Sequence, residues 1–386
     1  MDFSSMFTDH YTMVLMCFMA ASLVVLCLYY GLFYFRVGHV KQDQAKKGAG
    51  QSSDSLPPVS VVLTAQNDSQ WLKTNLVYLL EQDYPTFEVV VVDYLSTDES
   101  TFVLKLLAEN YKHLKVVTFM ENASGYQGKK YPMSIGIKSA KYDLLLLTEP
   151  DCMPNDLTHF GWIREMVAGY THKHVDIVLG YCGIQSKKSL FNWFQQYDNL
   201  DYSTEYLGAA LLHAPFTGNG RNLSYRRGLF MKNGGFIYHY SIPDGADDMF
   251  VNQNCRRRNT AVVLTEGSFT TTAPRSTVAE WRSYRKHRMS THKYYGFWLK
   301  VRRLLRPLSV FLFYLAAVLL FFRGIMPWEL LAGVLVLKLA WQIVATAQAT
   351  RRLGIGPIVY WLSPLFEIYF LIANTILSIL PLSKKN

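Results

Sequence analysis

A run of four leucines that ends at two carboxylates constrains this chain more than any other feature of its sequence. Leu144–Leu147 is too short for a helix and shows no alternation, so it predicts a strand buried on both faces. Glu149 and Asp151 follow it, one residue apart. Open α/β sheets bind ligands at the carboxyl ends of such strands, and paired carboxylates there suit Mg²⁺ or Mn²⁺. The alternative is an ordinary polar exit from the strand.

Strand and helix patterns alternate in the surrounding sequence. Strands are predicted at residues 59–63, 87–93 and 114–119, and a helix near 70–82. Residues 96–99 have the composition of a helix cap. This alternation predicts an α/β fold with a mostly parallel sheet and helices on both faces.

The chain also carries long apolar blocks. Residues 11–35 contain no charge and are long enough to cross a bilayer. Asp2 and Asp9 precede them in place of the basic residues of a signal peptide, which predicts a retained anchor with its N-terminus outside. A composition of 50% hydrophobic residues fits a soluble domain joined to membrane spans. Three further apolar blocks lie at residues 307–322, 330–345 and 357–382.

The net charge of +10 is explained by where the basic residues lie. Membrane proteins concentrate Lys and Arg on the cytoplasmic side of their spans. The charge therefore indicates membrane topology, and nucleic acid is not predicted as a partner. Five cysteines without metal-ligand spacing favour a reducing compartment. The basic residues that flank apolar blocks are Arg36, Lys41, Lys46, Lys47, Lys300, Arg302, Arg303 and Arg306.

Two charged residues, Lys338 and Glu367, fall inside the later apolar blocks. Charges at such positions are usually paired or functional. Mutual pairing and a headgroup position for Lys338 both stay open. Alternating spans would also leave Lys384 and Lys385 outside, against the positive-inside bias. Either the last block is re-entrant or the first C-terminal block does not span.

Several motifs occur in an order that resembles the family 2 glycosyltransferases. They are Pro57–Leu63 in the first strand, Gln82-Asp83-Tyr84-Pro85, Val91-Val92-Asp93 before Ser96-Thr97-Asp98, and Glu149-Pro150-Asp151 in the place of the Asp-x-Asp metal motif. The similarity extends to about Tyr295, and the C-terminal blocks resemble the membrane-bound bacterial branch. The resemblance implies a GT-A fold, a nucleotide-diphosphate sugar donor, and Mg²⁺ or Mn²⁺ held by Glu149 and Asp151.

The resemblance also implies roles for individual residues in donor binding. The loop Thr64–Asp68 and Asp93 match nucleoside-binding positions, the turn Gly128–Lys130 matches one near the diphosphate, and Phe216–Asn222 resembles the Gly-Asn segment that lines the sugar and acceptor pocket. For Lys129 and Lys130 the alternative is a solvated turn, and for the Gly-Asn segment it is an ordinary turn. For the segment 281–289 the alternative is a basic helix that lies on lipid headgroups. The implied donor-binding residues are Thr64, Ala65, Gln66, Asn67, Asp68, Asp93, Lys129, Lys130, Asp151, Gly218, Asn219, Arg285 and Arg288.

Asp247 and Asp248 lie in a segment that resembles the family's acidic motif, which supplies the general base. An acceptor hydroxyl must lose its proton as it attacks the sugar, and a second carboxylate nearby would raise the pKa of the first. The start of a helix is the alternative, because acidic residues complement its dipole. The sequence does not choose between the two aspartates.

The chain departs from the family pattern at Tyr94, Glu149, Arg285 and Met289. Loss of Gln at position 285 disfavours processive synthesis, so we expect a single transfer to a lipid-linked or saccharide acceptor. A catalytically inactive membrane scaffold and a nucleotidyltransferase are the alternatives.

The expected organisation is a cytoplasmic GT-A-like domain held at the bacterial inner membrane, with membrane lipids as additional partners. It consists of an N-terminal transmembrane anchor (1–36), a flexible linker (37–57), the catalytic domain (58–295), a basic interfacial segment (296–306) and a C-terminal membrane region (307–386).

Overall fold

The computed structural model describes residues 9–40, 56–119, 128–155, 161–170, 173–242, 244–324 and 326–379. Most of the predicted linker, with Lys46, lies outside the described residues, as do Lys384 and Lys385. The strands are β1 (Val59–Ala65), β2 (Phe87–Tyr94), β3 (Leu114–Phe119), β4 (Leu144–Leu147), β5 (Cys152–Pro154), β6 (Ile177–Leu179), β7 (Cys182–Ile184), β8 (Leu223–Arg226), β9 (Thr260–Val262) and β10 (Thr270–Thr272).

The helices alternate with the strands in the middle of the chain and follow one another near its two ends. They are α1 (His10–Tyr29), α2 (Arg36–Gly38), α3 (Ser69–Leu80), α4 (Ser100–Asn110), α5 (Lys130–Ser139), α6 (Trp162–Val167), α7 (Leu190–Leu211), α8 (Arg227–Lys232), α9 (Asp248–Asn254), α10 (Val278–Ser290), α11 (Phe297–Arg323), α12 (Trp328–Arg352), α13 (Pro357–Trp361) and α14 (Ser363–Ile379).

The strands of the described residues form two sheets, and the larger has the order β3-β2-β1-β4-β8-β6-β9. β1 pairs in parallel with both β2 and β4, and every residue of β1 and β4 is buried. The mostly parallel α/β fold and the buried leucine strand are therefore confirmed. β8 runs antiparallel to β4, with Leu147 opposite Leu223. This register brings the residues that precede β8 to the carboxyl end of β4.

The smaller sheet has the order β5-β10-β7. β5 begins directly after Asp151 and pairs antiparallel with β10, so that Cys152 lies opposite Thr272. The strand β10 thereby comes to the acidic pair from more than a hundred residues further along the chain. Sequence periodicity did not predict these three-residue strands, which are too short to show a pattern.

The described chain divides into two compact units. We name them after the expected organisation: the catalytic unit is the one with described residues of 40–187 and 205–291, and the membrane unit is the one with those of 1–39, 188–204 and 292–386. The start of α7 therefore groups with the terminal helices. Residues 297–306, predicted as part of a separate interfacial segment, form the first turns of α11.

Among the described residues, three helical stretches are long and apolar enough to cross a membrane. The first, His10–Gly38, is α1 continued through a π-helical stretch into α2; the others are α11 and α12. Asp9 at the start of α1 pairs with Arg323 at the end of α11, 2.7 Å between Oδ2 and Nη2, so these two ends lie side by side. The last apolar block is interrupted at Leu362, between α13 and α14.

The buried charges of the membrane unit pair with one another. Lys338, 2% exposed, donates to Glu367, 4% exposed, and also to Gln342 Oε1 at 2.7 Å. Tyr30 donates to the other oxygen of Glu367. Of the two positions left open for Lys338, the structure has the mutual pair. The pair links α12 to α14. Separating the two charges would cost several kcal/mol, because each would then be unpaired in an apolar interior.

Candidate functional site

The loop predicted to bind the nucleoside follows β1. Thr64 and Ala65 end the strand, and Gln66, Asn67 and Asp68 lead into α3. It is hydrogen-bonded to the segment after β2: Asn67 Oδ1, at a backbone φ of 56°, accepts the N–H of Thr97 at 2.8 Å, and the backbone N–H of Asp68 donates to Ser100 Oγ at 3.0 Å. Asn tolerates this left-handed backbone conformation better than most residues. The two loops therefore hold each other in place.

Asp93 lies near the end of β2 and is 1% exposed. Its Oδ2 accepts the hydroxyl of Thr101 at 2.5 Å. Its Oδ1 is buried and has no hydrogen-bond partner within the described residues. Because a buried carboxylate oxygen without a donor is costly, this position is suited to an N–H or O–H group of a ligand.

The acidic pair lies in the turn between β4 and β5, where the leucine run predicted it. Asn75 of α3, buried, donates to the carbonyl of Pro150 at 3.0 Å and fixes the turn between the carboxylates. Arg221 donates through Nη2 to Glu149 at 3.2 Å and to Asp151 at 3.1 Å. One guanidinium thus joins both carboxylates.

Two further cations contact one carboxylate each. Lys129 Nζ is 3.1 Å from Glu149 Oε1, and Arg275 Nη2 is 3.6 Å from Asp151 Oδ2. Asp151 Oδ2 also accepts the hydroxyl of Thr272 at 2.9 Å. Sequence reasoning missed Arg221, Arg275 and Thr272, because their segments reach the acidic pair only through the pairing of β8 and β10.

Tyr284 of α10 lies among three arginines. The guanidinium carbons of Arg275, Arg221 and Arg288 are 4.9, 5.2 and 5.7 Å from the centre of its ring. The negative face of an aromatic ring attracts cations at such distances. Tyr284 therefore lets several positive groups gather beside Glu149 and Asp151.

The cations control the ionisation of Glu149. Burial alone would raise the pKa of Glu149, but Lys129 and Arg221 outweigh it and hold the pKa well below its ordinary value. Conversely, Glu149 raises the pKa of Lys129. Glu149 and Lys129 are therefore both charged at neutral pH. A carboxylate must be ionised to bind a cation, and a lysine must be protonated to bind an anion.

The two neighbouring lysines of the predicted diphosphate turn occupy different surroundings. Lys129 faces Glu149, whereas Lys130 is 2% exposed and donates to the carbonyls of His239 and Ile242, each at 2.6 Å. Burial lowers the pKa of Lys130 to about 8. The structure therefore brings Lys129, but not the ammonium group of Lys130, to the acidic pair.

The segment of Gly218 and Asn219 lies just before β8. The Asn219 side chain accepts the backbone N–H of Arg221 at 3.2 Å. Gly220 donates its N–H to Asp247 Oδ2 at 2.7 Å, and a Cβ at position 220 would lie 3.0 Å from that side chain. This close approach requires glycine and brings Asp247 to the segment that carries Arg221.

The two candidate bases differ in their surroundings. Asp247 is half-buried and precedes α9; burial, with a smaller effect of the charge on Glu149, raises its pKa. Asp248 is 8% exposed, begins α9 and accepts the hydroxyl of Thr291 at 2.5 Å. The alternative of a helix N-terminus therefore describes Asp248 better than Asp247.

The last predicted pair is separated along α10. Arg288 lies against Tyr284, beside the other arginines, whereas Arg285 is 6% exposed and lies over the ring of Trp281, 5.4 Å from its centre. The helix begins with a capping box, in which Thr277 accepts the N–H of Glu280 and Glu280 accepts that of Ser276. Only Arg288 of the pair joins the cluster around Tyr284.

The donor set at the turn fits a divalent cation that also binds a phosphate. Among the described residues, no group of three or more His, Cys, Asp or Glu side chains is placed to hold a metal. Glu149 and Asp151 nevertheless offer adjacent carboxylate oxygens, and Mg²⁺ or Mn²⁺ commonly takes one or two carboxylates and completes its shell with phosphate and water.

A family model for glycosyl transferase family 21 matches residues 22–373. The chain belongs to glycosyl transferase family 21. It is therefore a glycosyltransferase, as predicted, and the family shown is 21, where the motifs had suggested a resemblance to family 2. The match covers the catalytic unit together with α11 and α12.

A solved structure supports the fold of this family 21 chain. It is similar to the mannosyltransferase PcManGT from Pyrobaculum calidifontis, solved with GDP-Man and Mn²⁺, at 19% identity over 91% of this chain and 98% of that one, with a TM-score of 0.55. TarS from S. aureus matches at 18% identity over 80% of this chain and 91% of that one, with a TM-score of 0.42. A search of curated proteins found no match. The GT-A-like fold is thus confirmed.

Proposed function

We propose that this protein transfers one sugar from a nucleotide-diphosphate sugar to a lipid-linked or saccharide acceptor. The observation that carries the proposal is the acidic pair Glu149–Asp151, surrounded by Arg221, Lys129 and Arg275 at the carboxyl ends of β1 and β4. Carboxylates for a metal and cations for phosphate are what a diphosphate leaving group needs. The GDP-Man and Mn²⁺ of the mannosyltransferase with the same fold support this choice.

The donor nucleoside would lie against the loop of residues 64–68 and Asp93. Within the described residues Asp93 Oδ1 has no hydrogen-bond partner, which supports this placement, since a base or ribose donor would satisfy it. The diphosphate would then lie beside Lys129 and Arg288. Glu149 and Asp151 would hold Mg²⁺ or Mn²⁺, which offsets the charge that develops on the departing diphosphate. Gly218 and Asn219 shape the neighbouring edge of the pocket.

Asp247 acts as the general base in this proposal. Its carboxylate takes the proton of the acceptor hydroxyl while that oxygen attacks the anomeric carbon and the bond to the diphosphate breaks. The raised pKa of Asp247 makes it a better proton acceptor than an ordinary aspartate. Asp248 is a positioning residue that fixes the start of α9 through Thr291.

A donor screen tests the proposal. Purified protein in detergent is incubated with nucleotide sugars, Mn²⁺ and lipid acceptors, and release of nucleoside diphosphate is measured. Asp151→Asn is expected to abolish metal-dependent donor binding with an unchanged melting temperature, whereas surface variant Asp83→Asn behaves as wild type. Donor binding that Asp151→Asn leaves unchanged would refute the metal assignment.

The screen also separates the alternative functions. Turnover of nucleoside triphosphates in place of nucleotide sugars would indicate a nucleotidyltransferase. Failure to bind any nucleotide sugar would support an inactive scaffold.

We further propose that the catalytic unit faces the cytoplasm of a bacterial inner membrane, where nucleotide sugars are made. The pairing of Asp9 with Arg323 supports an arrangement in which both lie outside and Arg303 lies inside. A cysteine placed at position 303 should be labelled by an impermeant thiol reagent only after the membrane is opened, with the native cysteines replaced as the control. Labelling from outside intact cells would refute this orientation.

A further inference from the structure

Arg221 contacts both carboxylates of the candidate site. Its Nε and Nη2 donate to Glu149 at 3.3 and 3.2 Å, and Nη2 also donates to Asp151 at 3.1 Å. Its Nη1 donates to Thr272 Oγ1 at 3.4 Å, and its side chain is 9% exposed. The fold therefore keeps this guanidinium between the two carboxylates.

The position between the carboxylates is the one that a divalent ion would need. Lys129 contacts Glu149 and Arg275 contacts Asp151, whereas the guanidinium of Arg221 contacts both carboxylates. Two ionised carboxylates this close repel each other unless a cation lies between them. A metal that bound Glu149 Oε2 and Asp151 Oδ2 would compete with Arg221 for those two oxygens.

The backbone at Arg221 is held by hydrogen bonds, and its side chain borders an aromatic ring as well as the carboxylates. The carbonyl of Arg221 accepts the hydroxyls of Thr148 and Thr270 at 3.2 and 3.1 Å. The guanidinium lies beside the Tyr284 ring, which Arg275 also contacts. An anion bound beside this ring would therefore lie near the guanidinium groups of both Arg221 and Arg275. Guanidinium binds phosphate oxygens through two parallel hydrogen bonds, so arginine suits both partners.

We propose that Arg221 is an exchangeable counter-ion: it neutralises Glu149 and Asp151 in the empty site and binds the donor diphosphate when a divalent cation takes the carboxylates. This inference rests on the proposed function. It assigns to Arg221 a role in donor binding. Metal and nucleotide should therefore bind cooperatively, because the metal frees Arg221 for the diphosphate and the diphosphate draws Arg221 away from the carboxylates that the metal needs.

The test measures two affinities that the proposal moves in opposite directions. Mn²⁺ binding without nucleotide is followed by the electron paramagnetic resonance signal of free Mn²⁺, and binding of GDP and UDP at saturating Mn²⁺ is followed by calorimetry. Arg221→Met should tighten Mn²⁺ binding by about 10- to 100-fold, since a competing charge-assisted bond is lost. It should weaken binding of the nucleoside diphosphate by a similar factor.

Arg226→Met is the matched control. Arg226 lies at the other end of β8, pairs with Asp143 and Asp176 at 3.3 and 3.8 Å, and lies 5.3 Å from the centre of the Tyr170 ring. It has the same chemistry as Arg221 away from the candidate site, and its variant should change neither affinity.

Arg221→Lys keeps the charge but not the fork that joins the carboxylates. It should bind Mn²⁺ more tightly than wild type by a smaller factor than Arg221→Met, and it carries the test if the methionine variant does not fold. Unchanged affinities, or a loss of both, would overturn the exchange. A wild type that binds neither Mn²⁺ nor GDP or UDP would refute the proposed function together with it.

Discussion

Replacing Asp247 and Asp248 separately by asparagine tests which of two adjacent carboxylates does chemistry. Asn keeps a carbonyl oxygen that can accept the N–H of Gly220, which donates to Asp247 at 2.7 Å. The geometry of the loop should therefore survive while the base is lost. General-base catalysis contributes about 10²- to 10⁴-fold, so Asp247→Asn should lower turnover by that factor and leave donor affinity nearly unchanged.

Asp248→Asn should act on stability more than on turnover. The variant replaces a charge-assisted bond from Thr291 by a neutral one and removes an acidic residue from the first turn of α9. Each change is worth about 1 kcal/mol. We expect a lower melting temperature and a loss of turnover below about tenfold, which corresponds to ~1.4 kcal/mol.

The stability of Asp247→Asn should change in the opposite direction. Because burial raises the pKa of Asp247 in the folded protein, the ionised form costs stability at pH values above both its folded and unfolded pKa. Asn removes this cost, so the variant should melt at the wild-type temperature or above it. Turnover and donor affinity are measured by diphosphate release and calorimetry, and melting by intrinsic fluorescence in detergent. Wild-type turnover in Asp247→Asn, or a loss of donor binding with it, would refute the assignment.

Two further predictions concern Asp247 in the catalytic unit and the Lys338–Glu367 pair in the membrane unit. Because the pKa of Asp247 is raised, the acid limb of the pH profile of kcat/KM should lie above the ordinary aspartate pKa of about 3.9, with activity falling as pH falls. Asp247→Asn should remove this limb. An unchanged limb in the variant would assign it to another group. In the membrane unit, Lys338→Met and Glu367→Gln should each lower the melting temperature, since each leaves a buried charge unpaired at a cost of about 3–5 kcal/mol. The double variant should lose less stability than the sum of the two single losses. Additive losses would show that the pair is not coupled.

Much of the fold was predictable because its signals are local. The leucine strand, the buried β1 and β2 and the membrane helices each carry their pattern within one short stretch of sequence. Glu149 and Asp151 were found for the same reason, since they follow directly on such a strand. The short strands β5, β7 and β10 were missed, because three residues cannot show a period.

The cations of the site were less predictable because they come from distant parts of the chain. Arg221 reaches Glu149 through the antiparallel register of β8 on β4, and Arg275 follows β10, which pairs with the strand after Asp151. No spacing along the chain announces either contact. The predicted segment Phe216–Asn222 contains Arg221, but roles were assigned only to Gly218 and Asn219, because nothing in the segment's sequence indicates that Arg221 reaches the acidic pair.

Lys129 and Lys130 show how far one step along the chain can change a role. Successive residues of a helix point about 100° apart, so two lysines at the start of α5 cannot both face the acidic pair. Lys129 extends into the site with 59% of its side chain exposed, as a group that meets an incoming anion must be. Lys130 instead satisfies the carbonyls of His239 and Ile242. Burial lowers the pKa of Lys130 and the charges of Asp248, Asp244 and Asp247 partly offset this effect, so the buried lysine lies within electrostatic reach of the acidic motif.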